Sequence, residues 1–135
     1  MRIVIDTNRY RDFSDGLKEA VDRFRAAELI CLPFVVLAEL RAGFLAGANP
    51  SRRVSRAAGK NAAALGAFLN RPRVRILWPD EETTHQYARI WSQLRAQGTP
   101  IPANDLWIAA LALQHDLLLY SRDTHFDHLP QIARV

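Results

Sequence analysis

Ile3-Val4-Ile5-Asp6-Thr7-Asn8 is the stretch that decides the fold. Three β-branched residues in succession, with no polar alternation, read as a strand buried on both faces, the pattern of a parallel sheet covered by helices. The run is stopped by an acid and turn-prone polar residues. Short apolar runs of the same kind recur at Leu29 to Leu32, Arg73 to Leu77 and Leu117 to Tyr120, the last halted by Ser121-Arg122-Asp123; Ile132 to Val135 reads as a final short strand. Between them lie helical stripes. Leu17, Ala20, Val21 and Phe24 mark one between Gly16 and Ala27, and a buried helix runs from Phe34, with Pro33 in its first turn. Ala62, Leu65, Phe68 and Leu69 share one face of another; Glu81 to Gln97 is ended by Gly98, and Asn104 to His115 is rich in Leu and Ala. Strands alternating with helices predict an α/β fold with a mainly parallel sheet. In such sheets the ligand site lies outside the carboxyl ends of the strands, where this chain carries Asp6 and Asp123.

The composition narrows the function. A chain of 135 residues, 49% of them apolar, predicts a single domain over 1–135 that needs no disulfide or structural metal to hold its core. No apolar run approaches the roughly 20 residues of a membrane span. The start reaches an acid after three apolar residues and does not read as a signal peptide, so the expected location is cytoplasmic. Cys31 is the only cysteine, which excludes an internal disulfide and a multi-cysteine zinc site. Bases outnumber acids 18 to 14, the net charge is +4, and all bases but Lys18 and Lys60 are arginines. Arginine forks suit phosphate, so nucleic acid is a reasonable partner class, although arginine usage also follows the base composition of a gene. Arg52, Arg53, Arg56 and Lys60 follow the breaker cluster Gly47-Ala48-Asn49-Pro50-Ser51 with no acid among them. Cations at a helix start oppose the macrodipole, so the segment is either a solvated basic face or a contact for phosphate or an acidic partner.

Four acids stand where apolar surroundings make an acid unexpected: Asp6, Glu39 inside an apolar helix, Asp105 in the first turn of the Leu/Ala helix, and Asp123. Each alone has a plain structural explanation, as a turn residue, a rim ion pair, a helix cap or an Asx-turn. Together at one sheet edge they would repel one another without a counter-cation. Hard divalent cations take oxygen ligands of this kind and make phosphoester hydrolysis feasible.

The four motifs around these acids, Val4-Ile5-Asp6-Thr7-Asn8, Leu37-Ala38-Glu39-Leu40-Arg41-Ala42-Gly43, Ile101-Pro102-Ala103-Asn104-Asp105-Leu106-Trp107 and Tyr120-Ser121-Arg122-Asp123-Thr124-His125-Phe126, resemble those of PIN-domain proteins. They are most similar to the VapC-type toxins of bacterial toxin–antitoxin modules, in the right order along nearly the whole chain. The resemblance implies a three-layer α/β/α sandwich and an acidic pocket binding Mg²⁺ or Mn²⁺. It implies an endoribonuclease cutting RNA with a metal-activated water, held inactive by a cognate antitoxin, and a homodimer. Asp6, Glu39, Asp105 and Asp123 take the catalytic positions, with Asp6, Asp105 and Asp123 on the metal. Thr7 and Asn8 take supporting positions. The chain departs from the pattern twice. His125 stands where an acid often precedes the Phe, which leaves Asp127 as a possible further contributor. Arg9-Tyr10-Arg11 follows Asn8 where an apolar residue is common, which puts two cations, Arg9 and Arg11, close to the proposed pocket, either to contact substrate phosphate or to point to solvent; Arg9, with Arg52, Arg53 and Arg56, is the candidate for substrate phosphate.

Other chemistries fit less well. A phosphatase of the haloacid-dehalogenase type needs an acid at the place of Asn8, and a receiver domain needs a lysine after a late strand. No G-x-S-x-G, P-loop or dinucleotide glycine motif is present. His125 and His128 read as solvated loop residues, and the three tryptophans as core or interface. The rival of another class is a non-catalytic PIN fold that binds RNA or protein. Val35, Val36, Leu40, Phe44 and Leu45 make the third helix apolar on more than one side, which predicts burial against a second chain unless the helix at Ala62 to Leu69 covers it.

Overall fold

The structure, a computed structural model, describes residues 1–46 and 56–135. Strand β1 (Arg2–Ile5) is followed by helices α1 (Thr7–Ser14) and α2 (Lys18–Ala26), strand β2 (Leu29–Pro33), and helices α3 (Phe34–Ala46) and α4 (Arg56–Leu69). Strand β3 (Val74–Leu77), helices α5 (Glu81–Gln97) and α6 (Ala103–Gln114), strand β4 (Leu118–Tyr120) and a 3₁₀ turn over Thr124–His128 complete the order. The strands form one parallel sheet in the order β3-β2-β1-β4. Ile3 pairs with Ile30 on one side and Leu118 on the other, and Leu32 pairs with Ile76. The expected last strand is reduced to a single parallel bridge between Leu119 and Arg134.

This order makes β1 the centre of the site. The chain steps from β1 to β2 to β3 in one direction, then crosses back to place β4 on the far side of β1. Right-handed crossovers put α1–α4 on one face and α5–α6 on the other, giving the three-layer sandwich. The reversal falls between β1 and β4, so the crevice at their carboxyl ends is the place where such a sheet accepts a ligand.

The core explains the apolar runs. Ile3, Val4, Ile5, Leu32, Leu119 and Tyr120 are fully buried between the layers. Phe13 stacks on Phe24 at 4.4 Å between ring centres, and Phe68 of α4 packs against both. Such ring pairs add about 0.5–1.5 kcal/mol each beyond their buried area.

Three expectations change. Asp6-Thr7-Asn8 does not end in a turn: Asp6 is the N-cap of α1, its side chain accepting the Thr7 N–H, and two turns of helix follow. Pro33 closes β2, opposite Leu77, before α3 begins. The third helix is also covered more fully from within than its composition suggests. Val35, Val36, Leu37 and Leu40 are buried, Phe44 is half-buried, and among these apolar residues only Leu45 stands well out, 65% exposed. The large aromatic surface lies elsewhere, at Trp78 and Trp91.

Candidate active site

Asp6 occupies the carboxyl end of β1 as a consequence of its capping role, and it is 5% exposed. One carboxylate oxygen accepts the Thr7 N–H at 2.7 Å, and the other accepts the Ser121 hydroxyl at 2.6 Å. Burial raises the Asp6 pKa above the ordinary carboxylate value, opposed by these two hydrogen bonds and reinforced by the negative charges of Glu39 and Asp123. Asp105, in the first turn of α6, is pushed up to about 6, first by burial and then by the charges of Asp123 and Asp6, with the His125 hydrogen bond pulling the other way. The carboxylates that the sequence separates by more than a hundred residues therefore act on one another.

Glu39 reaches the same place from α3. It accepts the Thr7 hydroxyl and, at 2.8 Å, the Asn104 side-chain amide. Asp123 caps the 3₁₀ turn by accepting the His125 N–H at 2.9 Å. The Asn8 side-chain oxygen accepts the Arg122 N–H, and Arg122 makes a two-pronged pair with Asp12 at 2.9 Å, tying the loop after β4 to α1. All four acids line one open cavity of about 700 Å³, together with Thr7, Asn8, Asn104 and His125.

The site contains residues that pattern reading passes over. His125, expected in solvent, turns its Nδ1 toward Asp105 at 2.7 Å and Asp123 at 3.0 Å. The hydrogen bond to Asp105 is the main cause of its raised pKa. Its place directly before Phe126, the position where the related motif often carries an acid, is the signal that could have flagged it. Ser121 and Asn104 hold Asp6 and Glu39, and neither has a sequence signature beyond sitting next to a motif acid.

Two expected residues stand elsewhere. The Arg9 guanidinium lies 4.3 Å from the centre of the Tyr120 ring and pairs with Asp12 at 3.2 Å and Glu19 at 3.8 Å, so it is drawn under the helices and away from the cavity. Arg11, one turn-face away, lines the cavity instead. Asp127 pairs with Arg134, whose guanidinium also bonds the carbonyls of Ser121 and Asp123, and it takes no part in the acidic cluster. Arg52 and Arg53 lie outside the described residues, and Arg56 opens α4.

The donor set suits a hard divalent cation. Four carboxylates in one cavity supply oxygen ligands, and the Asp105 pKa is raised by burial first and, beyond that, by the charges of Asp123 and Asp6. Asp105, Asp123 and His125 have ligand atoms within 4.8 Å of one another, a nitrogen–oxygen set that also suits Mn²⁺.

A parallel β3-β2-β1-β4 sheet with converging acids at its switch point defines the class of protein: the chain belongs to the PIN domain family, which it matches over residues 3–132. Within that family it is similar to Ribonuclease VapC5 of Mycobacterium tuberculosis (strain ATCC 25618 / H37Rv), at 32% identity over 134 residues, 98% of this chain and 90% of the relative. Ribonuclease VapC4 of the same organism is 31% identical over 111 residues, covering 82% of this chain and 78% of the relative. In structure it is similar to VapBC-5 from Mycobacterium tuberculosis, a member of the VapBC family of toxin–antitoxin systems. That match has a TM-score of 0.70 at 28% identity and covers 99% of this chain and 98% of the other.

Proposed function

We propose that this chain, a single PIN domain, is the toxin of a type II toxin–antitoxin module: a Mg²⁺- or Mn²⁺-dependent endoribonuclease restrained by a cognate antitoxin. The observation that carries the reading is the convergence of Asp6, Glu39, Asp105 and Asp123 in one cavity at the sheet's switch point. The ribonuclease names of its relatives and the toxin–antitoxin assembly of its structural neighbour support the substrate and the partner. Among the described residues no helix is long and apolar enough to cross a membrane.

Asp6, Asp105 and Asp123 hold the cation in this reading, which when bound supplies Lewis acidity toward the phosphoryl oxygens. The chain's own residues prepare the rest. The Ser121 hydroxyl and the Thr7 N–H favour the charged form of Asp6, opposing its burial, and fix its direction. Asn104 and Thr7 fix both oxygens of Glu39, leaving lone pairs free to take a proton from a water attacking phosphorus. His125, shared between Asp105 and Asp123, offsets part of their charge. Water attack breaks the bond from phosphorus to the 3′-oxygen and leaves 5′-phosphate and 3′-hydroxyl ends. Arg52, Arg53 and Arg56 contact RNA phosphates in this reading.

Purified antitoxin-free protein should cut single-stranded RNA with Mg²⁺ or Mn²⁺ and stop in EDTA. RNA bound but never cut would favour a non-catalytic module. Products ending in 2′,3′-cyclic phosphate would overturn the water mechanism.

A further inference from the structure

The acidic cavity poses an electrostatic problem for its own substrate, because four carboxylates repel a phosphodiester. Beside the divalent cation of the proposed reading, one arginine among the described residues is placed to answer it. Arg11 projects from the last turn of α1 and lines the acidic cavity, and it also lines a second cavity of about 310 Å³ between α1, α3 and α4. Most arginines around it are committed: Arg9 to Asp12 and Glu19, Arg122 to Asp12, Arg134 to Asp127. Among the described residues no carboxylate pairs with Arg11, and its side chain is exposed.

Gly43 on the facing helix α3 makes room for it. A Cβ at Gly43 would lie 3.1 Å from Nη2 of Arg11, and among the described residues no other heavy atom from outside the local helix lies within 4 Å of that point. The guanidinium thus lies against bare helix backbone, on the boundary between the two cavities. The second cavity, beyond Arg11, is lined by Tyr10, Leu40 and Phe44 together with Ser14, Asn61 and the acid Asp15, a mainly polar lining with apolar patches whose carboxylate disfavours a second phosphate and can accept hydrogen bonds from a neutral base. That is the chemistry of a nucleoside site beside a phosphate site.

We propose that Arg11, seated against Gly43, binds the RNA phosphate next to the scissile one, and that the adjoining cavity receives the nucleoside attached to it. The proposal rests on the ribonuclease reading. Arg11 is a binding residue here and takes no part in proton transfer.

The test compares wild type, Arg11→Ala, Arg11→Lys, Gly43→Leu and the Arg11→Ala/Gly43→Leu double variant. Readouts are steady-state cleavage of a single-stranded RNA oligonucleotide and, in EDTA, fluorescence-anisotropy binding of a mixed-sequence single-stranded RNA pool. Arg11→Ala should raise KM and Kd about tenfold, the scale of a lost charge-assisted hydrogen bond, while kcat stays within twofold. The slope of log Kd against log salt should fall by about 0.7, the share of one phosphate on a single strand. Arg11→Lys should restore part of the loss. Gly43→Leu keeps a good helix former on an exposed position; by filling the seat it should reproduce the loss, and the double variant should be no worse than Arg11→Ala. Unchanged KM, Kd and salt slope in Arg11→Ala overturn the proposal, as does a fall in kcat at constant KM. Additive losses in the double variant also overturn it, because Gly43→Leu would then act on RNA directly. A wild-type protein that neither cuts nor binds RNA sinks the ribonuclease reading itself and this proposal with it, whereas an active wild type with an indifferent Arg11→Ala sinks only this one.

Discussion

The acidic side chains can be separated by what each one's surroundings do to it. Asp6 is the most buried of the four and the most tightly held, and its replacement by asparagine removes the charge while keeping one acceptor oxygen, for the Thr7 N–H; the amide NH2 in the place of the other oxygen can only donate to the Ser121 hydroxyl. Asp6→Asn should lower metal-dependent cleavage at least about a hundredfold, the upper scale for disturbing a metal site, and leave the circular dichroism spectrum unchanged. Without metal its melting temperature should match or exceed wild type, because one of several mutually repelling carboxylates is gone. Full cleavage by the folded variant would remove Asp6 from the site. Asp105 and His125 predict how stability responds to pH. The Asp105 pKa rises from an ordinary 3.8 to about 6, so between these values the folded protein holds a proton that the unfolded chain has lost. Stability from this group therefore falls as pH rises through that window. His125 is also raised, from 6.5, by its bond to Asp105; its contribution is complete below 6.5 and is lost as pH climbs through its folded value. Both act in the same direction. In EDTA the melting temperature should decline from pH 5 to pH 8, and Asp105→Asn should flatten the decline. A melting temperature that is level or rising over this range would contradict the charge balance described for the cavity.

Elements explain which parts of this arrangement the sequence reveals. The strands are legible because each is an unbroken apolar run, and a run of that kind survives only between two layers of helix. Helix α5 is legible because its apolar stripe is long and both ends are marked, by Asp80 in a capping box with Thr83 and by Gly98 at φ 73°. The cap also carries a tertiary link, since Gln114 at the end of α6 donates to Asp80 and accepts from the fully buried Thr83. Asp80→Ala should therefore lower the melting temperature by about 3–5 °C, with cleavage within twofold of wild type; an unchanged melting temperature would mean the capping box is idle. Helix α1 escapes the same reading. It has eight residues, only Thr7 and Tyr10 are buried, and it starts on a residue already claimed as the end of a strand. One side chain, Asp6, serves as strand terminus, helix cap and candidate ligand, and pattern analysis assigns it only one of these. The positions of Arg9 and Arg11 were lost for the same reason. They fall on opposite sides of a helix that the sequence does not announce, so the adjacent cations could not be told apart. His125 was hidden by a further effect, because a short 3₁₀ turn after β4 aims it inward while its neighbours suggest a solvated loop.

At the scale of the molecule, charge and apolar surface are both unevenly placed, and both bear on partners. The chain carries +4 overall, yet its open cavity holds four carboxylates with His125 as the nearest partial offset. A cationic side chain delivered by another protein would meet complementary potential there without any change of fold. The covered face of α3 no longer argues for self-association, but Trp78, 63% exposed and stacked on Phe34, and Trp91, 47% exposed under Arg95, present aromatic surface that a lone domain has little reason to display. We therefore expect a homodimer by light scattering at micromolar concentration. We also expect the antitoxin from the neighbouring gene to abolish RNA cleavage when added in stoichiometric amount, by laying a C-terminal segment over the helices and placing an arginine among Asp6, Glu39, Asp105 and Asp123. Replacing that arginine with alanine should restore cleavage at least in part while the two proteins still associate, which separates blocking of the site from mere binding. Raising Mg²⁺ should compete with the arginine-bearing segment, because both neutralise the same carboxylates, and the apparent inhibition constant should rise with metal concentration. Cleavage untouched by the neighbour's product would refute the toxin–antitoxin assignment and leave a free-standing PIN nuclease. Inhibition indifferent to both the arginine and Mg²⁺ would place the block away from the acidic cavity, at the exposed aromatic surface.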